Sequence, residues 1–162
     1  MQMLATPRLR LRERTLDDLD AILAMDADPE VRRFMGGPPP AEAHRAEVRA
    51  NIVDGRPSHH RWAIEWRDRP GFLGQCGLGL CHLPACNALT WRLVRAHWGR
   101  GVASEAVGAM LQYARENLRM HSFVAFIHAD NQASRRVADK VGLLPAGETV
   151  LHGYRQLVYR LG

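Results

Sequence analysis

The stretch Arg95–Ala106, "RAHWGRGVASEA", constrains this chain more than any other. A strand-like run, Leu89–Val94 "LTWRLV", precedes it, and good helix formers follow at once. Gly99 and Gly101 therefore stand at the mouth of a helix. The first amides of a helix have no carbonyl partners, and the helix dipole places partial positive charge there. Anions settle on such ends, and glycine lets the backbone approach them closely. Gly99, Arg100, Gly101 and Val102, followed by small Ala103 and Ser104, form a candidate pyrophosphate cradle. No G-K-[ST] closes the loop as in a Walker-type phosphate site, and the third glycine of a dinucleotide fingerprint is missing. Taken alone, a loop whose glycines merely turn the chain is an equal alternative.

The rest of the chain supplies regular elements around that helix. Arg8–Arg12, "RLRLR", alternates as a strand with Leu9 and Leu11 inward. Thr15 and Asp18 resemble a helix start, with Leu19, Ile22, Leu23 and Met25 at helical spacing. "GGPPP" at 36–40 is a loop, and 41–52 is compatible with helix. Strands are expected at Arg61–Trp66, Phe72–Leu80 and Leu89–Val94, the second weakened by Gly74, Gly77 and Gly79, which suggest bulges or close backbone approach. A helix from Ala103 to about Leu118, a buried strand at Ser122–Ile127, a short helix at Ala133–Val141 and a final strand pair complete the order. This is one α/β domain over residues 1–162 with a mixed sheet.

Composition narrows the class. Hydrophobic residues make up 46%, which is a globular and not a disordered composition. No apolar run approaches a membrane span, and the N-terminal residues lack a signal peptide's apolar stretch, so a cytoplasmic protein with no membrane partner is expected. The formal charge is +5, yet the arginines are scattered, which favours a soluble arginine-rich surface over a nucleic-acid groove. Three cysteines do not make a disulfide framework. Cys76 and Cys81 are five apart on a strand and point to opposite faces, so no metal site is expected.

Two motifs carry a family resemblance. "WGRGVASEA" resembles the coenzyme A pyrophosphate loop of the GNAT superfamily of N-acyltransferases, in the branch of ribosomal-protein-alanine N-acetyltransferases. Trp98 stands where Gln or Arg is usual in the superfamily, and this branch has Trp there. The second motif, "ADNQASRRVADKVGLLPAG", resembles the branch at Asn131, Ser134, Lys140, Gly142 and Leu143. The resemblance implies a single GNAT-like domain with a mixed, mostly antiparallel sheet of about seven strands flanked by helices. It implies acetyl-CoA as acyl-donor cosubstrate, no metal, and an amine acceptor that is a protein N-terminus or a small molecule; a homodimer is compatible with it. It further implies that the strand before the loop splays from its neighbour. Main-chain groups of Leu93 and Val94 then pair with pantetheine, while Trp98 to Ser104 hold the phosphates.

Direct attack by an amine requires a proton acceptor, an oxyanion donor and protonation of the departing thiolate. Ser134 is the implied acid, because Ala138 stands where many members carry a tyrosine. Asn131 either bonds pantetheine or caps the helix. For the base, His82 at a strand end titrates near neutrality, against a reading as a solvated side chain. Glu105 is either a base or a favourable charge in the first turn of a helix. Glu65 and a water relay remain open, and His59 and His60 read as loop. The acceptor site is expected from Phe34–Ile52 and the loops after Leu80 and Leu151. A relative that binds acyl-CoA as a sensor or interaction module without turnover is the alternative: loss of the tyrosine favours it, and Asn131 and Ser134 oppose it.

Overall fold

Alternation in "RLRLR" becomes a sheet with two unlike faces. Leu9 and Leu11 are completely buried, while Arg10 and Arg12 turn to the other side. The same period continues across the neighbouring strands. Trp62 and Ile64, Cys76 and Leu78, and Leu89 and Leu93 join one apolar core, whereas Arg61, Gln75, Thr90 and Arg92 hold the alternate positions. The computed structural model describes residues 2–55, 60–81 and 86–162.

Eight strands form one sheet in the order β1-β2-β3-β4-β5-β6-β8-β7. They are β1 (Leu4–Ala5), β2 (Leu9–Glu13), β3 (His60–Trp66), β4 (Gly74–Leu80), β5 (Asn87–Leu93), β6 (Phe123–His128), β7 (Leu144–Leu151) and β8 (Tyr154–Leu161). The strand beyond the seven expected is β1, whose two residues pair Leu4 with Leu11 and Ala5 with Arg10. Two residues are too few to show a period. His60 opens β3, with its ring stacked 5.9 Å from that of Trp62, and is not a loop residue.

Among the described residues, four α-helices cover the sheet: α1 (Leu19–Ala27), α2 (Ala41–Val53), α3 (Val102–Glu116) and α4 (Gln132–Lys140). The α3 residues Val102, Ala106, Val107, Met110, Leu111 and Ala114 are buried on the apolar face, with Ala138 of α4 beside them. Helices α1 and α2 pack on each other through Leu19, Ile22 and Val48. A 3-10 turn, Leu16–Asp18, leads into α1. There Asp18 accepts the Thr15 amide at 2.8 Å and both terminal nitrogens of Arg12 at 2.8 Å. Burial would raise the Asp18 carboxyl, but these donors outweigh it and hold the group below its ordinary value.

One junction differs from the rest. All neighbouring strands are antiparallel except β5 and β6, which are parallel and share only two register pairs, Asn87 with Phe123 and Ala88 with Val124. Beyond that foot, β5 stays on β4 and β6 stays on β8, so the sheet parts. The splay expected of the strand before the glycine loop is present. β4 and β5 meet closely at its upper end, where a Cβ on Gly74 would lie 2.2 Å from the Arg92 carbonyl oxygen.

Candidate active site

The loop from β5 to α3 opens on the parted side of the sheet. The Val94 amide donates to the Leu73 carbonyl at 2.8 Å, and its carbonyl accepts His97 N–H at 2.9 Å. The Val94 amide is therefore already used, and its carbonyl keeps one acceptor site. Strand alternation turns the Leu93 groups the other way, toward the gap. The Leu93 carbonyl there accepts the Trp98 indole N–H at 3.0 Å, which leaves the Leu93 amide as the donor on that side.

Gly99 and Gly101 have φ of +74° and +76°, the left-handed region that side chains disfavour. Gly101 is the N-cap of α3, and the first helical bond runs from Glu105 N–H to its carbonyl at 3.1 Å. The amides of Val102, Ala103 and Ser104 then have no acceptor within the helix. The N-terminal segment braces this turn. Arg8 Nη1 donates to the Arg100 carbonyl at 3.0 Å, and a Cβ on Gly101 would sit 3.3 Å from Arg8 Nη2. Glu105 accepts the Thr6 hydroxyl at 2.6 Å, the Arg8 amide at 3.0 Å and Arg8 Nε at 2.7 Å. Burial would raise the Glu105 carboxyl, but these bonds prevail and lower it. Such a carboxylate is a poor proton acceptor, and Glu105 serves the brace.

From Ser104 a groove of about 340 Å³ runs between α3 and α4 to Lys140. Asn131 caps α4 by accepting Ser134 N–H at 3.1 Å. The Ser134 hydroxyl is half-buried and has no hydrogen bond among the described residues. Ala138 is wholly buried in the core. Glu65 is buried and held by Arg10 and Arg12, so it too is committed. His59 and His82 lie outside the described residues.

A second cavity, of about 290 Å³, lies between α1–α2 and the polar face of β3, β4 and β5. Met35, Pro39, His44, Glu47, Val48 and Asn51 line it, all from the 34–52 stretch expected to shape the acceptor site. Neither His44 nor Asp26 belongs to a motif in the sequence. Here His44 Nε2 lies 2.8 Å from the buried Asp26 carboxylate, which leaves Nδ1 as an acceptor 3.7 Å from Glu47. Arg92 Nη1 is 3.1 Å from the other Asp26 oxygen, a charge contact without hydrogen-bond alignment. The arginines Arg14, Arg32, Arg61 and Arg92 also face this cavity. Of these, Arg61 and Arg92 hold polar positions of the strand alternation in β3 and β5, whereas Arg14 and Arg32 lie outside the strands. Near the parted strands, Phe34 stacks 5.0 Å from His128, whose ring is 6.3 Å from Tyr154.

Three free cysteines are present: Cys76 is in the core under α3, while Cys81 and Cys86 pack with Val124 and Val158. No helix of the described residues is long and apolar enough to cross a membrane.

A mixed sheet that parts beside a glycine-bounded helix N-terminus, with a polar cavity adjoining, defines an acetyltransferase fold. The chain belongs to the acetyltransferase (GNAT) domain family, which matches residues 8–144, and it is an acetyl-CoA-dependent acetyltransferase. It is 30% identical to the uncharacterized N-acetyltransferase YoaA of Bacillus subtilis (strain 168), over 99% of this chain and 90% of that one. An acetyltransferase structure from Agrobacterium tumefaciens str. C58 superposes with a TM-score of 0.84 at 28% identity, covering 100% and 95% of the two chains. The fold is shared with RimL, a ribosomal L7/L12 alpha-N-protein acetyltransferase in complex with coenzyme A, at a TM-score of 0.78 and 20% identity, covering 98% and 97%.

Proposed function

We propose that the protein moves an acetyl group from acetyl-CoA to a primary amine, on a protein N-terminus or a small molecule, by direct attack in a ternary complex. The observation that carries this reading is the gap between β5 and β6, which opens beside the free amides at the start of α3. The coenzyme A held by the similarly folded RimL supports it. Trp98, Gly99, Arg100, Gly101, Val102, Ala103 and Ser104 take the pyrophosphate, and the groove toward Lys140 has room for the nucleotide end. The Leu93 amide faces the thioester arm. Ser134, unpaired at its hydroxyl, protonates the departing thiolate, and Asn131 fixes the turn that presents it.

Two histidines compete for the amine's proton. His82 is the sequence reading. His44 is favoured by its contact with Asp26, which orients the ring and leaves Nδ1, 3.7 Å from Glu47, as the nitrogen that accepts.

The test is thiol release from acetyl-CoA with a panel of amines, beside calorimetric acetyl-CoA binding. Turnover with binding is expected, and binding without turnover would leave a sensor. The base is read from pH profiles. Replacing it, as His82→Gln or His44→Gln, removes the acidic limb of kcat/KM and lowers the rate by about a hundredfold. A wild-type profile returns that histidine to a structural part.

A further inference from the structure

The cavity under α2 holds more positive charge than its carboxylates neutralise. Four arginines face it against two carboxylates, Asp26 and Glu47. Asp26 is already in contact with Arg92 and His44, and the Glu47 side chain is 71% exposed to water. Arg14 donates Nη1 to Gln75 at 3.0 Å, but its buried Nε has no hydrogen-bond partner among the described residues. Neither Arg14 nor Arg61 has a carboxylate within ion-pair distance among the described residues. Burial first, and then the like charges of Arg61 and Arg92, push the Arg14 guanidinium down to about 10, and burial also lowers Arg61 and Arg92. A fold that gathers unpaired guanidiniums in a cleft carries a standing desolvation cost. Oxyanions remove that cost, because the planar guanidinium fork matches carboxylate and phosphate oxygens.

We propose that the acceptor is an amine that also bears an anionic oxygen group, a carboxylate or a phosphate, which docks on Arg14, Arg61 and Arg92. This rests on the transferase reading. The strand that supplies Arg92 also supplies Leu93 at the edge of the gap, so an anion held at Arg92 brings its own molecule beside the acyl site. The sheet face opposite α3 thus sets which amine enters, while the α3 side holds the donor.

The experiment pairs each charged amine with its neutral counterpart: β-alanine with β-alaninamide, glycine with glycinamide, and phosphoethanolamine with ethanolamine. Thiol release is measured on the wild type and on Arg14→Gln and Arg61→Gln. The charged member of at least one pair should exceed its partner at least tenfold in kcat/KM. Whichever pair does so separates carboxylate from phosphate. Both variants should collapse that preference through KM, with acetyl-CoA affinity kept as the control for folding. Equal kcat/KM within every pair overturns the anion site and leaves the transferase reading standing. If none of these amines is acetylated, the acceptor is not among them, and the anion site is judged on stability instead. The wild-type melting temperature should rise in sodium phosphate or succinate over sodium chloride at equal ionic strength, and the two variants should not respond. No rise in the wild type overturns the site.

Discussion

Ser134 sits where α4 begins, yet Asn131 does the capping. That division frees the hydroxyl for chemistry. Ser134→Ala should lower kcat by roughly tenfold to a hundredfold, since the hydroxyl would act only as sulfur gains charge. Acetyl-CoA affinity should not change, and steady-state kinetics beside calorimetry would show it. Asn131 was ambiguous in the sequence because one side-chain amide serves a cap or a ligand equally well. Glu105 was ambiguous too, because its partners Thr6 and Arg8 lie far away in the chain. Its folded pKa lies below the ordinary value, so its stabilisation is present above the unfolded pKa and is lost as pH falls through the folded one. Glu105→Gln should cost about 1 kcal/mol at pH 7, discounted for the exposed Arg8, and lower the melting temperature by about 3 °C. The difference from wild type should shrink as pH falls below the ordinary glutamate value and through the folded one, which thermal melts across pH would detect.

At the scale of elements, the glycine-weakened strand β4 depends on what it omits. A Cβ on Gly74 would lie 2.2 Å from the Arg92 carbonyl, and one on Gly77 would lie 2.8 Å from the His60 carbonyl. Backbone cannot yield as a flexible side chain does. Gly74→Ala should destabilise the fold by about 3 kcal/mol, in the large class that follows from forced backbone shifts. Denaturant unfolding would measure it, and a loss below 1 kcal/mol would contradict the close approach. The three glycines in "FLGQCGLGL" announced close packing without naming the partner strand. Helix α3 was legible from its apolar spacing behind Gly101, and α4 from its bounding residues Asn131 and Gly142. The short β1 was not, because two residues acquire strand geometry only from the partner they meet.

The whole molecule has a dry face and a charged one. The dry face, under α3, was readable where a strand alternates, as at Leu9 and Leu11 of β2, but not from β6, which is buried on both sides, or β7, which is mostly exposed. The charged face was written in the other half of the same alternation, but its meaning depends on three-dimensional neighbours. Asp26 and His44 come from α1 and α2, and they meet Arg92 of β5 only after the helices fold over the sheet. The glycine loop before α3 could be read because its shape rests on backbone that glycine releases. The cavity under α2 was legible only in part, at residues 34–52, because side chains from distant segments build the rest.

The parted junction has a dynamic consequence. Central strands of a sheet are normally its slowest regions in amide hydrogen exchange, because both edges are paired. Here the sheet has an interior seam: past Ala88 and Val124, alternate amides along the rest of β5 and β6 face an opening instead of a neighbour. Those amides should exchange with deuterium as fast as an outer strand does. Acetyl-CoA should slow them selectively, so that the middle of the free protein behaves as a margin and the donor molecule closes it.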